Sequence, residues 1–377
     1  MASNSFGSHF RFTTFGESHG KVIGVVIDGC PSGLSLSEED IGHELLLRAP
    51  GQNSFTSPRK EKDHVEIVSG LFEGVTTGAP ITMLIRNRDA DSSKYTAMKD
   101  ILRPGHANYT YLAKYGVFDY RGGGRASARE TAARVAAGAV AKKLLTALKV
   151  KVAAFLQQVA EIQADVDLFD KELSNKVRAS ALFCPDSIAT EKMCRAIEQA
   201  LAEGDSVGGT VQFVAHGIPP GWGDPVYQKI EAQLAHAMLS IPASKGFEIG
   251  SGFASTRLRG SEHNDEFISR NGSIQTLTNQ AGGVLAGIST GMPIWGQVAF
   301  KPTSSIQIPQ NTVDLQGNPI IFQLPEGSRH DPCVAIRAVP VVEAMAAVVF
   351  VNAWLQNETS QLHSQDRCSF HEIPNLL

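Results

Sequence analysis

The sequence predicts an α+β protein built from two similar halves packed into one body. Two observations carry this expectation. First, the chain echoes itself. GKVIGVVIDGCPSG (20–33) is answered by GGTVQFVAHGIPPG (208–221), so that Gly29, Pro31 and Gly33 recur as Gly217, Pro219 and Gly221 at an offset of 188 residues. Second, each half closes on a long apolar helical pattern, ARETAARVAAGAVAKKLL or VPVVEAMAAVVFVNAWL. At 377 residues the chain is long enough for two domains or one two-lobed body.

The elements follow in order. In each echoing segment an apolar run ends at a Pro/Gly cluster, which reads as a strand entering a turn. A helical pattern comes after each turn. In the first half it is EEDIGHELLLRA, with Ser37 as N-cap and Asp40 three residues on, and in the second VYQKIEAQLAHAML. VEIVSGLF (65–72) is then matched by FEIGSGF (247–253), and TTGAPI (76–81) by STGMPI (289–294). An arginine–histidine segment precedes each closing helix, RPGHAN from Arg103 and SRHDPC from Ser328. We expect one domain over 1–357, with halves of about 1–188 and 189–357, and a polar tail over 358–377. Two αβ halves packed together leave a cleft at their junction, where ligand sites preferentially lie.

Apolar content of 42% and charged content of 19% are ordinary for a soluble globular protein. A net charge of −4 gives no basic field for nucleic acid. Five scattered cysteines (Cys30, Cys184, Cys194, Cys333 and Cys368) without C-x-x-C spacing point to reduced thiols rather than a disulfide framework or zinc site. MASNSFGSHFRFTTFGESHG lacks a basic segment followed by an apolar one, and no unbroken run of 18 apolar residues occurs. The expectation is a cytoplasmic protein with no membrane span.

Polar chemistry gathers in a few loops. DYRGGGRASAR (119–129) sets three glycines between arginines just ahead of a helix. Glycines allow φ > 0 and close approach of a ligand to the backbone, and a helix start favours anions. With Arg121, Arg125 and Arg129 this suggests a grip on a phosphate; a flexible turn with solvated arginines is the alternative. TTFGESHGK holds Ser18 and His19 between glycines, where His19 is either a general acid or a surface histidine in a turn. Pro104 and Gly105 present His106 beside Arg103. Arg329, His330 and Asp331 crowd together ahead of the last helix, with Asp331 either a helix cap or a chemical group. FKPTSS (300–305) places Lys301 and three hydroxyls at a strand end, suited to ribityl or phosphate oxygens. No P-loop or H-E-x-x-H pattern occurs, and GGGRAS lacks the G-x-G-x-x-G spacing of a Rossmann site. What remains suits proton transfer around a multiply charged anion.

These segments closely resemble the chorismate synthase family. The likeness runs from FGESHGKVIGVVIDGCPSG through RPGHANYTY and YRGGGRASARETAARVAAGA to AGGVLAGISTG, FKPTSS and SRHDPCVAIRAVPVVEAM, nearly the whole chain to about residue 356. The resemblance implies a β-α-β sandwich of two pseudo-symmetric halves with helices packed between sheets. It implies a lyase of aromatic amino acid biosynthesis that converts 5-enolpyruvylshikimate 3-phosphate to chorismate by 1,4-anti elimination of phosphate, and that needs reduced FMN. By the same resemblance Ser18, His19, Arg48, Arg129 and Arg329 line the substrate, and His19 protonates the departing phosphate. His106 sits by the flavin, and Asp331 helps remove the C6 proton through the flavin N5. FMN contacts come from Arg125, Ala126, Ser127, Pro242, Ala243, Ala286, Lys301, Pro302, Thr303, Ser304, Ser305 and Arg329. The family's tetrameric assembly carries over as an expectation.

Three positions depart from the family pattern. Ser54 stands where relatives often carry a second arginine, which is linked, as Arg48 is, to NADP or substrate. The expectation is therefore an external flavin reductase as electron source rather than NADPH-driven reduction on this chain. Pro242 replaces a common asparagine and Ala286 a common glycine. Proline has no N–H, so any contact there runs through other atoms.

Overall fold

In the computed structural model the described residues are 3–51, 55–56, 63–87, 93–270, 272–325, 328 and 331–361. Two antiparallel five-stranded sheets form the outer layers. The first contains β1 (Ser5–Phe6), β2 (Arg11–Gly16), β3 (Val22–Asp28), β4 (Val65–Ser69) and β5 (Ile81–Arg86), in the order β1-β2-β3-β5-β4. The second contains β6 (Lys151–Val159), β7 (Ile162–Gln163), β8 (Gly209–His216), β9 (Ser244–Ile249) and β10 (Ile294–Phe300), in the order β7-β6-β8-β10-β9. The four principal strands of each sheet thus follow one pattern, β2-β3-β5-β4 and β6-β8-β10-β9. The echoing segments found in the sequence occupy equivalent places, as β3 and β8. The chain passes from the first sheet to the second between Arg86, the end of β5, and Lys151, the start of β6.

Strand residues alternate as a half-buried sheet requires. In β5, Ile81, Met83 and Ile85 are fully buried while their neighbours are partly exposed, and β10 repeats the pattern with Ile294, Val298 and Phe300. The buried faces meet four helices, α1 (Glu38–Arg48), α2 (Thr131–Ala147), α3 (Ile230–Leu239) and α4 (Val334–Asn357). Helix α2 packs on β3 and along α4, and α4 packs on β6 and β8. One contiguous apolar cluster runs from Phe10 and Ile23 through Val140 and Val342 to Phe213 and Val298. The architecture is therefore sheet, helices, sheet, an α+β sandwich of two pseudo-symmetric halves.

Helix α4 is long and apolar enough to cross a membrane by length and composition, although no unbroken apolar run of 18 residues occurs. It lies instead in the middle layer, with 89% of its most apolar stretch buried. A helix apolar all round belongs in such a place. Gly138 of α2 lets the two central helices touch, since a Cβ there would sit 2.3 Å from the Cβ of Ala344. Glu343 is the buried exception in α4. It accepts hydrogen bonds from Lys142, from Arg178 at 2.6 Å and from the Ala154 amide at 3.0 Å. Burial opposes its ionisation, but the charges of Lys142 and Arg178 outweigh that and hold the carboxyl below its ordinary value.

Helix starts follow their caps. Ser37 and Asp40 form the expected capping box on α1, with Ser37 N donating to Asp40 Oδ2 at 2.9 Å. Helix α3 starts at Ile230, four residues later than the pattern from Val226 suggests, because Val226 adopts φ +66° and cannot be helical. The helix after the glycine-rich loop begins at Thr131 rather than at once. Ser127 first caps a single turn over Ala128–Glu130.

Candidate active site

The GESHG turn between β2 and β3 packs directly on the glycine-rich loop. Ser18 is buried; its amide donates to Gly124 O at 3.2 Å, and its hydroxyl to Arg121 O at 3.3 Å and Gly122 O at 3.0 Å. Gly122, Gly123 and Gly124 all have positive φ. At Gly122 the reason is also space, since a Cβ would lie 2.3 Å from His19 Cδ2. The ring of His19 meets Tyr95 edge-on, with centroids 5.3 Å apart. Gly16, Ser18 and Gly20 also spell G-x-S-x-G, a match that the sequence reading missed. A nucleophile elbow leads from strand to helix, whereas this turn leads into strand β3, and Ser18 spends its proton on backbone carbonyls.

The three loop arginines part company. Arg121 forms a two-point ion pair with Asp119, at 2.8 and 3.0 Å, on the protein's surface. Of the three arginines expected to grip an anion, Arg121 is paired with Asp119. Arg125 donates to Thr14 O at 2.9 Å and to Thr14 Oγ1. Arg129 turns inward, donating to Asn87 Oδ1 at 2.9 Å and to Asp63 Oδ1. The other oxygen of Asp63 accepts from Arg48 Nη1 at 3.0 Å. Arg48, the last residue of α1, also donates to Thr131 Oγ1 at 3.1 Å and Ala128 O at 3.3 Å. Burial, then the charge of Arg337, lowers the Arg48 pKa to about 9, against the attraction of Asp63. Burial opposes ionisation of Asp63, but Arg48 and Arg129 overcome it and hold its pKa below the usual carboxylate value.

Asp331 does not occupy the cap of α4, whose N-cap is Cys333. Its Oδ2 accepts from Arg337 Nη1 at 2.8 Å, and Arg337 Nε donates to the backbone oxygen of Arg48 at 3.2 Å. Arg337 thus ties the proposed base to the arginine cluster. Arg329 and His330, which crowd against Asp331 in the sequence, lie outside the described residues, as does Ser54. Asp63 and Arg337 were both missed. The periodic apolar residues around Arg337 disguised it as one polar position on a core helix, and Asp63 sits two residues ahead of an ordinary strand.

His106 lies before the helix Asn108–Tyr115, in a turn fixed by Pro104 and Gly105. Its Nδ1 is 3.0 Å from Pro104 O, and its Nε2 is 2.9 Å from Arg103 Nη2 and 3.1 Å from Ser305 Oγ. Burial, followed by the charges of Arg103 and Lys301, pushes its pKa down to about 4 against the Pro104 hydrogen bond. Lys301 Nζ donates to Gly105 O at 2.9 Å and Ser304 Oγ at 2.7 Å, so FKPTSS and RPGH form one wall.

Between that wall and the glycine-rich loop is a cleft of about 240 Å³. His106, Ser305, Gly122, Gly123, Ala126 and Ser127 line it, with Tyr95 and Tyr120. A smaller cavity of about 30 Å³ holds Arg48, Pro242, Asp331 and Arg337, and Ala128 borders both. Ala243, at φ +69°, accepts from Lys301 N at 3.0 Å. Ala286 takes φ +51° in the turn between Val284–Leu285 and Ile288–Ser289, and lines neither space. The wall residues have hydrogen-bonding capacity to spare for a polar cofactor. Arg103 Nε, Arg125 Nη1 and Thr303 Oγ1 are buried with no hydrogen-bond partner among the described residues, and of the three residues Arg103 lines the cleft. Such orphaned groups cost free energy unless a ligand or water meets them, so a flavin with its ribityl hydroxyls and phosphate fits this donor set.

Comparison with known proteins agrees with the geometry. A family model described as chorismate synthase matches residues 10–355. The chorismate synthase of Protochlamydia amoebophila is 59% identical over 368 residues, covering 96% of this chain and 100% of that protein. That of Opitutus terrae is 52% identical over 354 residues, covering 94% of this chain and 97% of that protein. A crystal structure of a chorismate synthase superposes with a TM-score of 0.75 at 33% identity, covering 97% of both chains.

Proposed function

Because the chain belongs to the chorismate synthase family, we propose that it is a lyase that eliminates phosphate from 5-enolpyruvylshikimate 3-phosphate to form chorismate, with reduced FMN bound. The observation that carries this reading is the meeting of the GESHG turn with the glycine-rich loop at the edge of the cleft, which puts His19 against Gly122. In this reaction the C6–H electron pair becomes part of the new diene as the C3–O pair leaves with phosphate, so substrate and products balance without net oxidation. When bound, reduced FMN supplies electron density transiently to the breaking C–O bond.

The chain's own residues do the rest. Arg48, Arg129 and Arg329 receive the carboxylates and phosphate of the substrate, as guanidinium groups suit both. His19 gives a proton to the departing phosphate. Asp331 is the base for the C6 proton, oriented by Arg337 at 2.8 Å. His106 and the FKPTSS segment form the flavin wall, and the cofactor carries the harder chemistry while the protein orients it. Electrons for FMN come from an external flavin reductase.

The test is anaerobic incubation of the purified protein with the enolpyruvyl substrate and dithionite-reduced FMN. Chorismate and inorganic phosphate should appear in equal amounts. Absence of both under these conditions would refute the reading.

A further inference from the structure

We propose that Asp63 is a positioning residue of the substrate site, whose buried carboxylate locks Arg48 and Arg129 into one array for the anionic groups of the substrate. The inference rests on the substrate-site reading of those two arginines. The Asp63 side chain has no exposed surface, and its two oxygens are divided between the two guanidinium groups. The arginines come from separate elements, Arg48 from the end of α1 and Arg129 from the single turn before α2. Each is also held from a second side, Arg48 by Thr131 and Ala128 and Arg129 by Asn87.

Two guanidinium groups on one carboxylate leave a net charge of +1. That suppresses repulsion between the arginines and keeps an attraction for anions. It also fixes direction, because each planar fork is held at two points and cannot swing. Preorganised groups of this kind bind and catalyse better than the same groups left mobile. A purely structural ion pair would hold the loop at 63–65 and nothing more, and the two roles separate in measurement.

The test uses the protein with oxidised FMN and measures the Kd of 5-enolpyruvylshikimate 3-phosphate by calorimetry, with thermal melts for folding and with kcat and KM under reduced FMN. Asparagine at this position keeps one acceptor oxygen and turns an NH₂ donor against the other arginine. Asp63→Asn should therefore raise the Kd by about ten- to a hundredfold, with KM rising alongside it. In an Arg129→Gln background the same change should raise Kd by less than about threefold, since one of the two groups it aligns is gone. Asp63→Glu keeps the charge but moves both oxygens by one methylene, and it too should raise the Kd. A folded Asp63→Asn with unchanged Kd, or additive effects in the double variant, overturns the proposal. If Asp63→Asn does not fold, Asp63→Glu decides, and an unchanged Kd there overturns it equally. Formation of chorismate by the unmodified protein judges the functional reading separately.

Discussion

Arg103 Nη2 donates a hydrogen bond of 2.9 Å to Nε2 of His106, while the Pro104 carbonyl lies 3.0 Å from Nδ1. A guanidinium has no lone pair to offer, so this contact requires an unprotonated Nε2 and puts the ring proton on Nδ1. Ser305 supports the same arrangement from 3.1 Å. His106 is thus stored as a neutral imidazole whose Nε2 lone pair is occupied by a neighbouring cation.

The first prediction follows from that pairing. Burial and then Arg103 depress the His106 pKa to about 4, so Arg103→Gln should raise it toward the ordinary value of about 6.5. NMR titration of protein carrying labelled histidine checks this, and an unmoved pKa would assign the whole shift to burial and Lys301. Stability follows the same linkage. Between about pH 6.5 and 4 the unfolded chain binds a proton at this position that the folded chain refuses. Stability conferred by neutral His106 is therefore present above about pH 6.5 and is lost as pH falls toward 4. Denaturation of the wild type and His106→Gln across that window should show the wild type losing more.

His19 depends on Gly122 for its place. General acids contribute about 10²–10⁴-fold, so His19→Ala should lose turnover on that scale while folding and binding FMN, and His106→Ala should lose turnover by removing a side chain of the flavin wall. Gly122→Ala should approach the His19 effect without touching the imidazole. Its Cβ would stand 2.3 Å from His19 Cδ2 and 2.7 Å from Ser18 Oγ, at a φ of +61° that already strains alanine. Displacing a reacting group by about an ångström costs about a hundredfold. Turnover assays beside thermal melts decide, and near-normal rates in Gly122→Ala would show that the turn yields without moving His19.

The sequence announced the parts of this protein that depend on neighbours in the chain. Ser37 and Asp40 could be read as a capping box because cap and partner lie three residues apart. The repeat around Gly29 and Gly217 located equivalent strands because a shared turn chemistry marks both. Long-range pairing was not legible. Arg129 and Asp63 lie 66 residues apart, and nothing in either segment names the other. Arg121, by contrast, was counted among the anion-binding arginines although its partner Asp119 stood two residues away. The start of α3 was misplaced for a different reason, since a valine at positive φ breaks a helical pattern that its apolarity continues.

Reduction of the cofactor gives a third prediction. Arg48 is buried, and it donates to Thr131, Asp63 and Ala128. The family resemblance leads one to expect a second arginine where this chain has Ser54. NADPH and FMN without a reductase should therefore give no sustained chorismate formation in air, while an added flavin reductase should restore it under low oxygen. Efficient aerobic turnover with NADPH alone would overturn this expectation.

Asp331 supplies the last prediction. Helix α4 takes Cys333 as its N-cap, so the carboxylate of Asp331 is not the cap that starts the helix. Its partner Arg337 donates at 2.8 Å and is itself anchored to the backbone oxygen of Arg48. Asparagine preserves the shape and an acceptor for Arg337 but cannot take up a proton as a carboxylate does. Asp331→Asn should fold and bind FMN, with a small change in thermal stability and turnover reduced by roughly two orders of magnitude or more. Arg337→Gln should leave the base in place without its Arg337 hydrogen bond, and it should cost less than Asp331→Asn does. Single-turnover assays under reduced FMN, run beside melts of both variants, measure the comparison. A stable Asp331→Asn protein that keeps most of its rate would mean that another group removes the proton. A larger loss in Arg337→Gln than in Asp331→Asn would mean that the arginine acts on the substrate itself.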